Sequence, residues 1–122
     1  MKYFKDSEFV RPELLRPEMK DLLDYLRELY GSPLIVSSSL RSDKKNASVG
    51  GAGQSSHRLA PDGLYSGIDL TTPSNKLTGA QKFRLVHLAI DAGFSRIGIY
   101  EKHIHLDIEK HLPQDVLWIG VD

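Results

Sequence analysis

With 122 residues and no cysteine, the chain is long enough for one self-supporting core and has no recourse to disulfides. Sixteen basic side chains balance sixteen acidic ones, so there is no overall electrostatic bias toward nucleic acid or an anionic membrane surface, and no nucleic-acid partner is expected. Any metal must be held by nitrogen and oxygen donors, because thiolates are missing. The opening Met1-Lys2-Tyr3-Phe4-Lys5-Asp6 lacks the apolar core of a signal peptide, and no segment approaches the ~18 apolar residues that span a bilayer. The expectation is one domain over residues 1–122, monomeric, made in the cytoplasm and without membrane insertion.

In chain order, residues 6–16 read as a short helical turn and an extended piece, broken by Pro12. Pro17 opens an amphipathic helix: Met19, Leu22, Leu23, Leu26, Leu29 and Tyr30 recur at helical spacing, and Gly31 and Pro33 stop it. Its apolar stripe reads as core. Leu34-Ile35-Val36-Ser37-Ser38 is a short strand. Residues 42–56, rich in serine and glycine, make a long loop of the kind that is usually functional, and they lack the lysine-serine/threonine ending of a phosphate-binding loop. His57 closes it. Ala60-Pro61-Asp62-Gly63 is a turn, and Tyr65 to Leu70 a strand in which Ile68 and Leu70 flank Asp69. Thr78 and Gln81 form a capping box for a second helix, with Phe83, Val86, Ala89 and Ile90 as its apolar positions and Gly93 as its stop. Phe94 to Tyr100 is another strand, connected by Glu101-Lys102 to its antiparallel neighbour His103–Ile108. The tail, with Val116, Leu117, Trp118 and Ile119, reads as a last strand or a packing arm.

The strand His103-Ile104-His105-Leu106-Asp107-Ile108 alternates with period two. Its apolar members face a core, and the two histidines and Asp107 line the other face, neighbours roughly 6.5–7 Å apart. An edge strand with solvent-facing polar residues has the same pattern. A catalytic zinc usually keeps three protein ligands and an open position. His57, Asp69 and His105 make one such set if the strands share a sheet, although spacing alone does not select them from five histidines and sixteen acids.

Five ordered motifs add a resemblance: Ser38-Ser39-Leu40-Arg41-Ser42; Ser55-Ser56-His57; Gly67-Ile68-Asp69; Gly93-Phe94-Ser95-Arg96-Ile97-Gly98-Ile99-Tyr100; and His103-Ile104-His105-Leu106-Asp107. Over residues 4–109 the chain resembles the M15-type zinc D-Ala-D-Ala carboxypeptidases and peptidoglycan endopeptidases, in their small endolysin-like branch, which share a zinc site with the hedgehog signalling domain. The resemblance implies an α+β fold, a small antiparallel sheet flanked by helices with the zinc site on one face. It implies one Zn2+ per chain on His57, Asp69 and His105, and a peptidoglycan peptide as substrate. It further implies Arg41 and Ser55 as substrate-binding residues and His103, two positions before the last ligand, as general base, with Glu101 as the alternative. Asp107 would orient a ligand from behind. With no signal peptide, action on the wall after release by a phage holin is the expected route.

Two departures stand out. Twelve positions separate His57 from Asp69, a longer gap than the family usually has, so residues 58–65 carry an insertion. Asp62 is nearer the usual spacing, but the Gly67-Ile68-Asp69-Leu70 context favours Asp69. Leu40 stands where the family has tyrosine. His87 and His111 match nothing and read as structural or exposed. A non-catalytic zinc-containing module of the same fold is the alternative, and the insertion is its main support.

Overall fold

The computed structural model describes residues 1–41 and 55–121. The serine- and glycine-rich loop therefore lies outside the described residues, except for Ser55 and Ser56. Helix α1, Pro17–Tyr30, begins with proline at its first turn and ends at Gly31, whose left-handed φ of 79° lets its N–H bond the Arg27 carbonyl. Met19, Leu23, Leu26 and Tyr30, spaced four, three and four apart, form its buried face. Helix α2, Gly79–Ala92, starts at the expected box: Thr78 accepts from the Gln81 N–H and Gln81 reaches back to Thr78.

The apolar face of α2 differs from expectation. Leu85 and Ala89 are buried, Val86, Leu88 and Ala92 pack against the same core, and Phe83 and Ile90 are 77% and 58% exposed. Phe83 lies two residues, about 200° of helix, from Leu85 and so faces away from the sheet. It stacks on His87, which is itself exposed and paired with Asp91.

Among the described residues five strands form one sheet: β1 Ile35–Ser38, β2 Ile68–Thr71, β3 Arg96–Ile99, β4 Ile104–Asp107 and β5 Val116–Ile119, in the order β1-β2-β4-β3-β5. Every pairing is antiparallel except β3 with β5, which is parallel. The tail is thus a true strand. The polar-alternating strand β4 is interior, not an edge, and both of its faces are covered.

Alternation then sorts the sheet into two faces. Ile68, Leu70, Ile97, Ile104 and Leu106 join the buried residues of α1 and α2 in one core. On the opposite face, register places Ser38, Asp69, His105, Gly98 and Trp118 in a single row across all five strands. The centre of this row is also dry, with Asp69 and His105 only 3% and 5% exposed. The expected division follows for stability: Leu23→Ala costs about 2–5 kcal/mol in chemical denaturation through the cavity it leaves, whereas Phe83→Ser changes stability by less than about 0.5 kcal/mol.

Candidate metal centre

His57 reaches the sheet face from a turn in which the Arg58 N–H bonds the Ser55 carbonyl. Its backbone is clamped on both sides: the Arg41 N–H donates to the His57 carbonyl at 2.7 Å, and the Gly67 N–H to the Ser56 carbonyl at 2.8 Å. Only glycine permits the second contact, since a Cβ at Gly67 would lie 2.5–2.6 Å from the Ser56–His57 backbone. The ring is then set by one bond. His57 Nδ1 is 2.6 Å from the Ser39 carbonyl, which can only accept, so the proton is on Nδ1 and Nε2 carries a lone pair.

His105 is set in the mirror sense. Its Nε2 is 2.7 Å from Asp107 Oδ2, and Ser56 Oγ donates to that same oxygen at 2.7 Å. A carboxylate accepts, so His105 is protonated on Nε2 and turns the lone pair of Nδ1 toward the row. Asp69 sits directly opposite His105 in the β2–β4 register. Its Oδ1 is 2.9 Å from His105 Nδ1 and 3.1 Å from His57 Nε2, and the two nitrogens are 3.1 Å apart. Three acceptors thus meet with no donor between them, a mutual repulsion that a cation relieves. Tetrahedral coordination with bonds of about 2.0–2.1 Å places ligand atoms about 3.3 Å apart, close to this spacing. The donor set fits one metal ion.

The electrostatics follow the same lines. Burial pushes the Asp69 carboxyl up, but without a metal, added protons on the two imidazoles take the cation's place, and hydrogen bonds and charge from His105 and His57 then hold the group well below the usual carboxylate range. Asp107 is likewise lowered, against its burial, by His105 and by donors from the Glu109 backbone and Ser56. Burial alone would depress His105, yet the carboxylates of Asp107 and Asp69 leave it raised in the absence of a metal. Arg96 Nε lies 2.9 Å from Asp107 Oδ1, close enough for charge pairing although the N–H is too poorly aligned for a hydrogen bond.

The other residues singled out in the sequence divide clearly. His103, 22% exposed at its side chain, brings Nε2 to 3.5 Å from Asp69 Oδ2 at the rim of the row. Arg41 reaches the same oxygen with one guanidinium nitrogen at 3.3 Å and bonds Ser38 Oγ with Nε. Ser55 Oγ accepts the His57 N–H at 3.1 Å, which leaves its own O–H to donate elsewhere. Glu101 is exposed in the β3–β4 connection. His111 lies 3.7 Å from Glu109, apart from the three donors, and Asp62 is also elsewhere. Four participants were not foreseen: Ser56, the Ser39 carbonyl, Arg96 and Trp118, whose ring lies 5.4 Å from that of His105.

Asp62, itself exposed, belongs to a second network, anchored on the buried Glu109, that explains how the insertion is accommodated. Gly63, at φ 82°, closes a turn whose N–H bonds the Ala60 carbonyl. The Arg16 guanidinium grips Asp62 with two nitrogens at 2.7 and 3.0 Å and the fully buried Glu109 with two contacts at 2.7 and 2.8 Å. Ser66 donates to Glu109 as well, and Tyr65 is bonded to the Leu14 and Val10 carbonyls. The extra residues are thereby fastened to the segment before α1. Replacing Arg16 by Met leaves a buried carboxylate without its partner and is expected to destabilise the protein by about 3–5 kcal/mol. Adding Glu109→Gln should recover part of that loss, as read from paired urea titrations.

Compared with known families, residues 4–107 match the family model described as Peptidase M15. No curated protein gives a significant match to the chain. The matched segment contains all three donors and ends at Asp107, so β5 and Trp118 lie beyond it.

Proposed function

Because the chain belongs to the Peptidase M15 family, we propose that it is a zinc-dependent hydrolase of peptide bonds in bacterial peptidoglycan, of the carboxypeptidase or endopeptidase type. The observation that carries this reading is the convergence of His57 Nε2, Asp69 Oδ1 and His105 Nδ1, each with its lone pair directed at the others. Zinc held there supplies Lewis-acid activation of water and of the scissile carbonyl.

The chain's own residues do the remainder. His103 accepts a proton at Nε2, from a position beside Asp69 Oδ2 that is neither fully buried nor fully exposed. Arg41, aimed into the row from the end of β1, holds a substrate carboxylate or carbonyl with its forked donors. The Ser55 hydroxyl donates to the peptide. Asp107 and the Ser39 carbonyl keep the two imidazoles in the tautomers that ligation requires. The non-catalytic alternative drew on the insertion, and the insertion leaves the donor set together, within 4.8 Å. Wall access after release by a phage holin remains part of the proposal.

The direct assay is digestion of purified peptidoglycan with and without a chelator. New amine termini are expected, abolished by chelation and restored by added zinc; none from any wall type would sink the hydrolase reading. His103→Ala should lower the rate by about 10²–10⁴-fold at unchanged zinc content. Asp107→Asn should instead weaken zinc binding about 10–100-fold in a competition titration against a chromophoric chelator.

A further inference from the structure

His103 precedes β4 in the connection from β3, so sheet pairing does not fix its ring. The Tyr100 side chain lies against it, stacked at 4.4 Å between ring centroids and 13° between planes. A backbone bond from the Tyr100 N–H to the His103 carbonyl, 3.1 Å, closes the same connection. Tyr100 is itself held at its far end, where Trp118 Nε1 donates to the phenol oxygen at 3.1 Å. Trp118 is placed by the parallel pairing of β5 with β3, directly beside Gly98.

Two glycines clear the space for this arrangement. A Cβ at Gly98 would lie 2.6 Å from the Trp118 ring, and one at Gly120 would lie 2.0 Å from the Tyr100 ring. The Gly120 N–H meanwhile bonds the Ile99 carbonyl at 2.8 Å, which ties the end of β5 to the base of Tyr100. Backbone pairing and ring contacts direct the C-terminal strand toward His103 through Tyr100, while the Trp118 ring also lies 5.4 Å from that of His105.

We propose that Tyr100 and Trp118 are positioning residues for His103: the indole N–H fixes the phenol, and the phenol ring fixes the plane of the imidazole at the rim of the donor row. The proposal rests on the reading of His103 as the proton acceptor. It gives a segment outside the family match a role in the reaction. Neither aromatic touches a reacting atom, so each acts through the orientation of His103.

Ring motion and turnover test this together. The probes are 13C relaxation of the histidine rings in the metal-free protein, and the initial rate of amine release from purified peptidoglycan by the zinc-loaded protein. Tyr100→Leu should free the His103 ring on the picosecond–nanosecond scale and slow release about ten-fold at saturating substrate, with the half-saturating amount and zinc content unchanged. Tyr100→Phe and Trp118→Phe should each slow it about three-fold, and the double variant no further, because both remove one hydrogen bond. In a His103→Ala background Tyr100→Leu should have no additional effect.

Wild-type ring motion and rate in Tyr100→Leu, with His103→Ala inactive, would overturn the positioning role alone. Full activity in His103→Ala would overturn the base assignment and this proposal with it. A rate loss in Trp118→Phe that tracks lost zinc would move its action to His105, against the proposal. Should Trp118→Phe fail to fold, Tyr100→Phe carries the same hydrogen-bond test.

Discussion

Two hydrogen bonds decide what this sheet face can do. The Ser39 carbonyl takes the Nδ1 proton of His57, and Asp107 takes the Nε2 proton of His105. Each bond commits its ring to one tautomer, and each therefore turns a bare nitrogen toward Asp69. In a dry site three facing acceptors repel one another strongly, so the fold stabilises this arrangement only in company with a cation or with added protons. The rest of the local architecture serves to hold those two bonds. Gly67 lets the Ser56–His57 backbone approach β2, Ser56 and Arg96 both attend Asp107, and the β2–β4 register places Asp69 across from His105.

A sheet with one face on the helices and the other carrying buried polar groups needs cover on both sides. The helices supply the first, through Met19, Leu23, Leu26, Leu85 and Ala89. Beyond the row, the same polar parity continues along the chain from His103, His105 and Asp107 to Glu109, where Arg16 bridges to Asp62. The insertion and the segment before α1 are thereby fastened together through Arg16, whose pair with Glu109 is buried and whose pair with Asp62 lies at the surface. The buried pair adds little net stability, but removing one member is expensive, which holds Arg16 where it meets Asp62 of the insertion.

Much of this was legible in the residues. Helix α1 with its proline start and glycine stop, the Thr78–Gln81 box, and the alternation in β4 each have a local cause, and the three donors lay in motifs with recognisable neighbours. What escaped was non-local or carried no side-chain signature. A backbone carbonyl such as that of Ser39 looks the same at every position. The buried face of α2 was ambiguous, because Val86 and Ala89 can join either Phe83 and Ile90 or Leu85, Leu88 and Ala92 in an apolar stripe, and only packing chooses the second set. Trp118 joins the site through a parallel pairing of strands that β-propensity cannot specify. Glu109 was within reach, since the period-two parity of β4 places it on the polar face.

Two imidazoles of opposite tautomer and one carboxylate are proposed to hold a single zinc. Zinc-edge X-ray absorption on the loaded protein addresses this most directly. The donor geometry predicts a four- or five-coordinate zinc with two imidazole nitrogens at about 2.0–2.1 Å and carboxylate oxygen at about 2.0–2.2 Å, and one imidazole fewer in either His57→Ala or His105→Ala. A shell of oxygen donors alone, or one unchanged by both substitutions, would contradict it.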